Sequence, residues 1–293
     1  MSGETQSSSL SGTIYAKVIE MGVIAYQYDD LTITPFFRYK TIADQATTTA
    51  AFTRWVKSAG PASGTPASET TALTPTELTT TSVDIAVGRV GLAREVTTTA
   101  KEDSVVGRSL DVQGLIMDAA RLYGEYFDTA SADLFSTLTL SVGATGQPLS
   151  IATMVAAIGQ QRTNKARGPM VISLHDNQLK QLQQAQAATT GTAWSTFYTP
   201  NAVGGQFGGY FMGCPIWSSG VNETSTGDRL GAIWVDGQAA PEFSAFGFVV
   251  KRMPSSLTET HILMDSNIWA SFARTGCGVV ANNFATCIRS VNA

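Results

Sequence analysis

The sequence predicts an α+β fold, and three observations carry that prediction. One amphipathic helix of unusual length occupies the middle of the chain. Alternating apolar residues mark strands on both sides of it, and a compact helix–strand–helix unit follows. The long helix organises the rest. From Leu115 its apolar residues run through Ile116, Ala119, Ala120, Leu122, Tyr123, Tyr126, Phe127, Ala130, Leu134, Phe135 and Leu138, the steps of one broad buried stripe. Asp118, Arg121, Glu125 and Asp133 form the opposite, solvated face. Leu115, Ala119, Leu122 and Tyr126 are accordingly the expected core contacts. Asp103 and Ser104 suit a cap, and Asp111 suits a restart after Gly107. From about 111 to 137 such a helix spans roughly 40 Å at 1.5 Å per residue, well beyond the usual three to four turns.

Composition narrows the function classes. The 293 residues carry only 14% charged side chains and a formal charge of −4, so there is no basic footprint for reading nucleic acid. So little charge leaves a neutral Ser/Thr surface or a surface covered by partners, and subunits of repeating assemblies fit the second description. No apolar run approaches the roughly 20 residues of a membrane helix. The first residues lack the cationic and apolar regions of a signal peptide, so synthesis and folding are expected in a cytoplasm. Cys214, Cys277 and Cys287 are too few for a disulfide framework and read as buried, reduced thiols.

In chain order, residues 1–12 read as a polar arm, 13–25 as a short half-buried element and 26–37 as extended chain. This stretch reads equally as an edge strand of its own domain or as an arm seeking contacts on a neighbouring subunit. Residues 36–82 hold two strand-like pieces within a Gly/Pro/Ser/Thr-rich excursion that cannot build a core of its own. Phe37, Phe52, Trp55 and Leu73 stud it as adhesive points, which fits an excursion tied to something outside the subunit. Val83, Ile85 and Val87 alternate with polar positions as a half-buried strand, and Gly88 and Gly91 allow a bend before it continues towards Thr99. Beyond the long helix, Ser150 caps a helix with the stripe Ile151, Met154, Val155 and Ile158. Residues 169–174 form a buried strand, and Asp176 is the expected cap of a third helix. A loop over 189–209 precedes strands near 210–212, 216–219, 230–235, 246–251, 260–264, 266–273, 277–280 and 284–290.

Catalytic chemistry finds little support. His175 and His261 stand far apart without companion ligands at metal spacing. No G-x-S-x-G elbow accompanies them. The glycines at 204, 205, 208 and 209 lack the Lys-Ser/Thr of a phosphate loop. Asn222-Glu223-Thr224 matches a glycosylation acceptor, but without a secretory signal it carries no weight. Glu102 and Asp103 serve a helix start better than acid–base work. No enzyme and no cofactor are expected.

The order of these pieces carries a resemblance over nearly the whole chain. Val83-Asp84-Ile85-Ala86-Val87 leads through EVTTTAKEDS into a helix ending GEYFDTASADLFSTL. SIATMVAAIGQQRTNKARGPMVISLHDNQLKQLQ and YFMGCPIWSSGV follow it. Together they resemble the major capsid proteins of tailed bacteriophages with the Hong Kong 97 fold. The resemblance implies an N-terminal arm (1–35), an extended β-hairpin loop (36–82), a peripheral domain with the spine helix (83–145 and 246–293) and an axial α/β domain (146–245). It implies a non-enzymatic shell subunit in hexamers and pentamers, with Phe37, Lys40, Phe52, Arg54, Trp55, Lys57 and Leu73 as inter-subunit contacts. Its implied partners are further copies, a portal protein, a decoration or cement protein and non-specifically held packaged DNA, in a virion assembled in a bacterial cytoplasm, with no membrane. The chain starts almost at the arm, so a separate scaffolding protein is expected. Some members weld subunits through a Lys–Asn isopeptide bond. Lys40, Lys57, Asn282 and Asn283 are available by type, but surface Lys and turn Asn are the favoured readings. A nanocompartment shell of encapsulin type, a Thr-rich adhesin or tail-fibre protein and a small-molecule enzyme are the alternatives.

Overall fold

The computed structural model describes residues 31–43, 45–55, 80–97, 108–188, 198–200, 206–221, 228–261 and 266–291. The arm before residue 31, the excursion over 56–79 with Lys57 and Leu73, the caps Asp103 and Ser104, and Asn222, Glu223 and Thr224 lie outside them. The strands are β1 (Arg38–Thr41), β2 (Thr49–Trp55), β3 (Thr80–Ala86), β4 (Gly88–Thr97), β5 (Ser141–Val142), β6 (Met170–His175) and β7 (Tyr198–Pro200). They continue with β8 (Phe207–Phe211), β9 (Cys214–Ser219), β10 (Asp228–Val235), β11 (Phe246–His261), β12 (Ser266–Val279) and β13 (Ala285–Val291). Among the described residues three α-helices accompany them: α1 (Arg108–Asp133), α2 (Ile151–Thr163) and α3 (Asp176–Ala188).

Two larger sheets carry the fold. One has the order β1-β11-β12-β4, the other β5-β13-β10-β6-β9-β8-β7, and β2 and β3 form a separate hairpin. Alternation along β11 and β12 sends Phe248, Cys277 and Trp269 to the side of α1, and Gly247, Gly276 and Gly278 to the side of the hairpin. The four-stranded sheet is thus covered by α1 on one face and seats the hairpin on the other. In the seven-stranded sheet, Ile172, Leu174, Ile216, Ile233 and Ile288 pack against Met154, Ile158 and Leu182 of α2 and α3. Its reverse face, with Val171, Ala232 and Trp234, joins the core that holds Phe37, Phe135 and Phe246. Burial on both sides explains why β6 and β10 read as continuous apolar runs. β13 lies in this second sheet, so 285–291 sit with the strands of 146–245, away from the 246–279 strands with which the sequence groups them.

The long helix departs from its expected stripe. α1 ends at Asp133, and a 3-10 turn at Leu134–Thr137 carries Phe135 into the core. Ile116, Ala119, Ala120, Tyr123, Phe127 and Ser131 are buried, but Leu122 is 36% and Tyr126 47% exposed. Both residues expected in the core therefore flank the solvated face. Each lies three positions after a buried neighbour, and the true stripe narrows onto Tyr123 and Phe127, with Asp128 taking a buried place that its charge hid in the sequence. The side chain of Leu115 lies outside the described residues. Val155 of α2 is likewise exposed, while Gln161 is buried in its stead.

Buried amides tie the helical layer to the second sheet. Gln161 Nε2 donates to Thr286 Oγ1 (2.6 Å), and Gln181 Nε2 donates to the Val291 carbonyl (2.9 Å). Gln178 Nε2 donates to the carbonyls of Arg229 (3.0 Å) and Ile288 (3.1 Å). Gln178 also accepts from the His175 amide (3.0 Å), while His175 Nδ1 accepts from Asn177 N (3.0 Å), a reciprocal capping box at the start of α3. The cap expected of Asp176 is thus made by His175. Ser150 Oγ does cap α2, accepting from Thr153 N at 3.1 Å. The run expected as one strand with a bend at Gly88 divides at Val87 into β3 and β4, which belong to different sheets. The four pieces expected between 246 and 280 are two long strands, β11 and β12.

Candidate assembly surfaces: the roots of the hairpin and the arm

β2 and β3, which flank the excursion in sequence, are paired from Thr49↔Ala86 to Trp55↔Thr80. Ala50, Phe52, Ile85 and Val87 point from this hairpin onto Ile42, Val249 and Val280. The seat beneath is a glycine floor. Gly247 and Gly278 are cross-strand partners in β11 and β12, and Gly276 lies opposite Val249. A Cβ on Gly247 would stand 2.8 Å from the Phe52 ring, and one on Gly276 would collide with the Ala86 carbonyl oxygen. Only hydrogen at these positions lets two sheets approach so closely.

Cations fasten the sides of the seat. Arg38 Nη1 donates to the Thr53 carbonyl (3.0 Å) and Lys40 Nζ to the Ala51 carbonyl (2.6 Å), so side chains from β1 serve the outer edge of β2 where a strand would otherwise pair. Both cations also stand over the Phe52 ring, at 5.6 and 5.9 Å from its centroid. Lys251 Nζ donates to the Thr47 carbonyl at 2.6 Å. Arg54 reaches Asn283 Oδ1 at 3.4 Å and the face of Phe284 at 6.0 Å.

The arm enters differently. A carboxylate on α1, Asp128, accepts every polar hydrogen offered by Thr32, Ile33 and Thr34. Oδ2 takes Thr32 N (2.7 Å) and Thr32 Oγ1 (2.6 Å). Oδ1 takes Ile33 N (3.2 Å), Thr34 N (3.2 Å) and Thr34 Oγ1 (3.0 Å). Thr32, Thr34, Asp128 and Ser131 are all buried, and Ser131 Oγ lies 3.2 Å from Thr34 Oγ1. Hydrogen bonds to a charged acceptor out of water are among the stronger ones a protein makes. Sequence reasoning missed this clasp. Its only trace was the T-x-T spacing before Pro35.

The residues expected at subunit contacts fall into three groups. Phe37 and Phe52 are buried inside the subunit and are unavailable to a neighbour as it stands. Phe37 stacks on Phe246 at 4.7 Å and meets the edge of Trp234 at 5.9 Å, while Phe52 fills the hairpin seat. A polar stretch gave no hint that internal cavities awaited its aromatics. Lys40 and Arg54 are half-buried and serve the hairpin root. The side chain of Trp55, with Lys57 and Leu73, lies outside the described residues.

Among the described residues no three His, Cys, Asp or Glu gather as a metal site would require, and no helix is long and apolar enough to cross a membrane. Cys214 and Cys287 are buried, and burial pushes their thiols up. Cys277, which donates to the Ala130 carbonyl at 3.3 Å, is pushed up to about 11 by burial and by the charge of Asp133.

No family model and no curated protein matches the sequence. Solved structures do match in fold. The capsid of Ralstonia phage GP4 superposes with a TM-score of 0.64 at 11% identity, over 89% of this chain and 88% of that one. The capsid structure of the cyanophage P-SCSP1u gives 0.62 at 12% identity, over 90% and 89%. A virus-like particle from Pyrococcus furiosus gives 0.59 at 8% identity, over 93% and 98%. The chain therefore has the mixed α+β fold of phage capsid proteins.

Proposed function

We propose that the chain is the major capsid protein of a tailed bacteriophage and that it closes into an icosahedral head around double-stranded DNA. The observation that carries this reading is the match to phage capsids along about nine-tenths of both chains. The two rooted excursions support it, because an arm and a hairpin held firmly at one end suit contacts beyond the subunit. In the Hong Kong 97 arrangement that this reading adopts, residues 1–35 are the arm and 36–82 the hairpin loop. Residues 83–145 and 246–293 are the peripheral domain and 146–245 the axial domain, whose sheet β5 and β13 extend.

Contacts between subunits then fall to Lys40, Arg54, Trp55, Lys57 and Leu73, with hexamers and pentamers as the building units. A portal, a separate scaffolding protein and a decoration or cement protein complete the particle, which is assembled in a bacterial cytoplasm. The shell function is structural and uses no cofactor. Expression of the chain, followed by size-exclusion chromatography and negative-stain microscopy, tests this. Closed shells are expected, and a dispersed monomer or a trimeric rod under all conditions overturns it.

A nanocompartment shell is the second reading, favoured by the coverage of the Pyrococcus furiosus particle. Nuclease-protected DNA in particles from an infected host supports the first, and an enclosed cargo protein without DNA supports the second.

A further inference from the structure

Several strand edges among the described residues are too short or too well covered to take another strand. The seven-stranded sheet ends in β5, of two residues, and β7, of three, too short to template another strand. The outer edge of β2 is served by Arg38 and Lys40. β11 is covered by β1 at 247–250, and beyond that its register breaks around Arg252 near Pro254, which has no N–H to offer. Of the edges left open, among them β3 and the 255–261 stretch of β11, that of β4 is the longest. It runs ten residues, Gly88–Thr97, in unbroken antiparallel register against β12, with no proline and no strand described on its other side. Gly88, Arg89, Gly91, Ala93, Arg94 and Glu95 are exposed along it. In an antiparallel strand alternate residues turn both N–H and C=O to the same side, so about half of these backbone groups face outward.

We propose that β4 pairs antiparallel with β4 of a second copy about a two-fold axis through Leu92. Charge selects this register. With Leu92 opposite itself, Arg89 faces Glu95 of the second copy at both ends, and Gly91 faces Ala93 between them. A shift of one residue in one direction sets Arg89 against Arg94 twice, and a shift in the other direction leaves no opposite charges facing each other. The faces agree as well. Arg89, Gly91, Ala93 and Glu95 share the hairpin side of the sheet, while Val90, Leu92 and Arg94 share the side of α1, where Arg94 already bridges Asp118 at 2.8 Å. Gly91 lets Phe272 lie flat across β4, since a Cβ there would stand 2.7 Å from its ring, and the Arg89 guanidinium lies 4.1 Å above that ring. A self-complementary strand is what an isologous contact requires.

This inference deepens the shell reading by naming one contact between subunits, and the test separates the two. Leu92→Cys in the full chain places two thiols opposite each other at about 4.5–5.5 Å between Cα atoms, within disulfide range. Mild oxidation is expected to convert most of it to a dimer on a non-reducing gel, while the unsubstituted chain stays monomeric there. Val90→Cys and Arg94→Cys should not dimerise singly but should cross-link when mixed. Arg89→Glu and Glu95→Arg should each weaken self-association about tenfold, and the double exchange should restore it. A folded Leu92→Cys chain that forms no dimer, or Val90→Cys alone linking as well as Leu92→Cys, overturns the pairing. So does a double exchange without recovery. Shells that form without the cross-link sink the pairing alone, and cross-linked dimers that never close into particles sink the shell reading alone.

Discussion

The arm and the hairpin are held by opposite physics. At the arm, one buried carboxylate collects five donors from three successive residues, and the contact is out of water. At the hairpin, the fit is steric, with aromatic and aliphatic side chains set into a floor of glycines. The cations along its rim are partly exposed and individually weak. The first is a fixed point that added salt barely touches. The second is a seam whose rim loosens as charges are screened. On the shell reading proposed above a subunit gains from both, one root giving a fixed direction and the other a seat that can adjust.

Removing the clasp should have the largest effect. Asp128→Ala strips the acceptor from buried donors at 32–34, and an equilibrium urea titration should show a loss of about 3 kcal/mol. Asp128→Asn should lose less, because one oxygen remains. A cost under about 1 kcal/mol for the alanine would show that the turn is held by packing alone, and the contrast would collapse. Next in size is Gly276→Ala, whose methyl group meets backbone at Ala86. Calorimetry should find about 2 kcal/mol lost, with fewer regular particles under the microscope. Full stability in that variant would mean the hairpin can lift off its seat freely.

Lys40→Met tests the rim. Subunit stability should change by less than about 1 kcal/mol, while the fraction of protein in particles falls in a sedimentation assay. Equal damage to subunit and particle would place Lys40 with the interior ties instead. The smallest effect belongs to Leu122→Asp. Because Leu122 lies on the exposed flank of α1, its melting curve should match the parent within about 0.5 kcal/mol. A collapse of the fold there would restore the broad stripe that the sequence suggests.

What could be read from the sequence was what depends on neighbours along the chain. The helix at Arg108–Asp133, the Ser150 cap and the strand through Val171 and Leu174 follow from local period and local capping. What could not be read depends on distant partners. Asp128 looks like any solvated carboxylate until Thr32 and Thr34 arrive. Gly247, Gly276 and Gly278 sit in two strands, and nothing in their spacing says that they share a face. Leu122 and Tyr126 satisfy helical spacing as well as Tyr123 and Phe127 do, so the edge of the stripe is set only by where the sheet ends. Phe37 and Phe52, stranded among small polar residues, gave a signal of need but not of address. β11 and β12 broke into fragments because Gly, Ser and Thr interrupt their apolar pattern, and the pairing of the two strands supplies the continuity.

The sequence distance spanned by the clasp has a kinetic consequence. Thr32, Ile33 and Thr34 meet Asp128 across 96, 95 and 94 positions of chain, so the contact must close a long loop before it yields any return. The amides of 32–34 should therefore be among the last to gain protection in pulse-labelled hydrogen exchange during refolding. A newly made chain would then close this turn only after the central helix stands, and on the shell reading contacts with another subunit would wait for completion of the first.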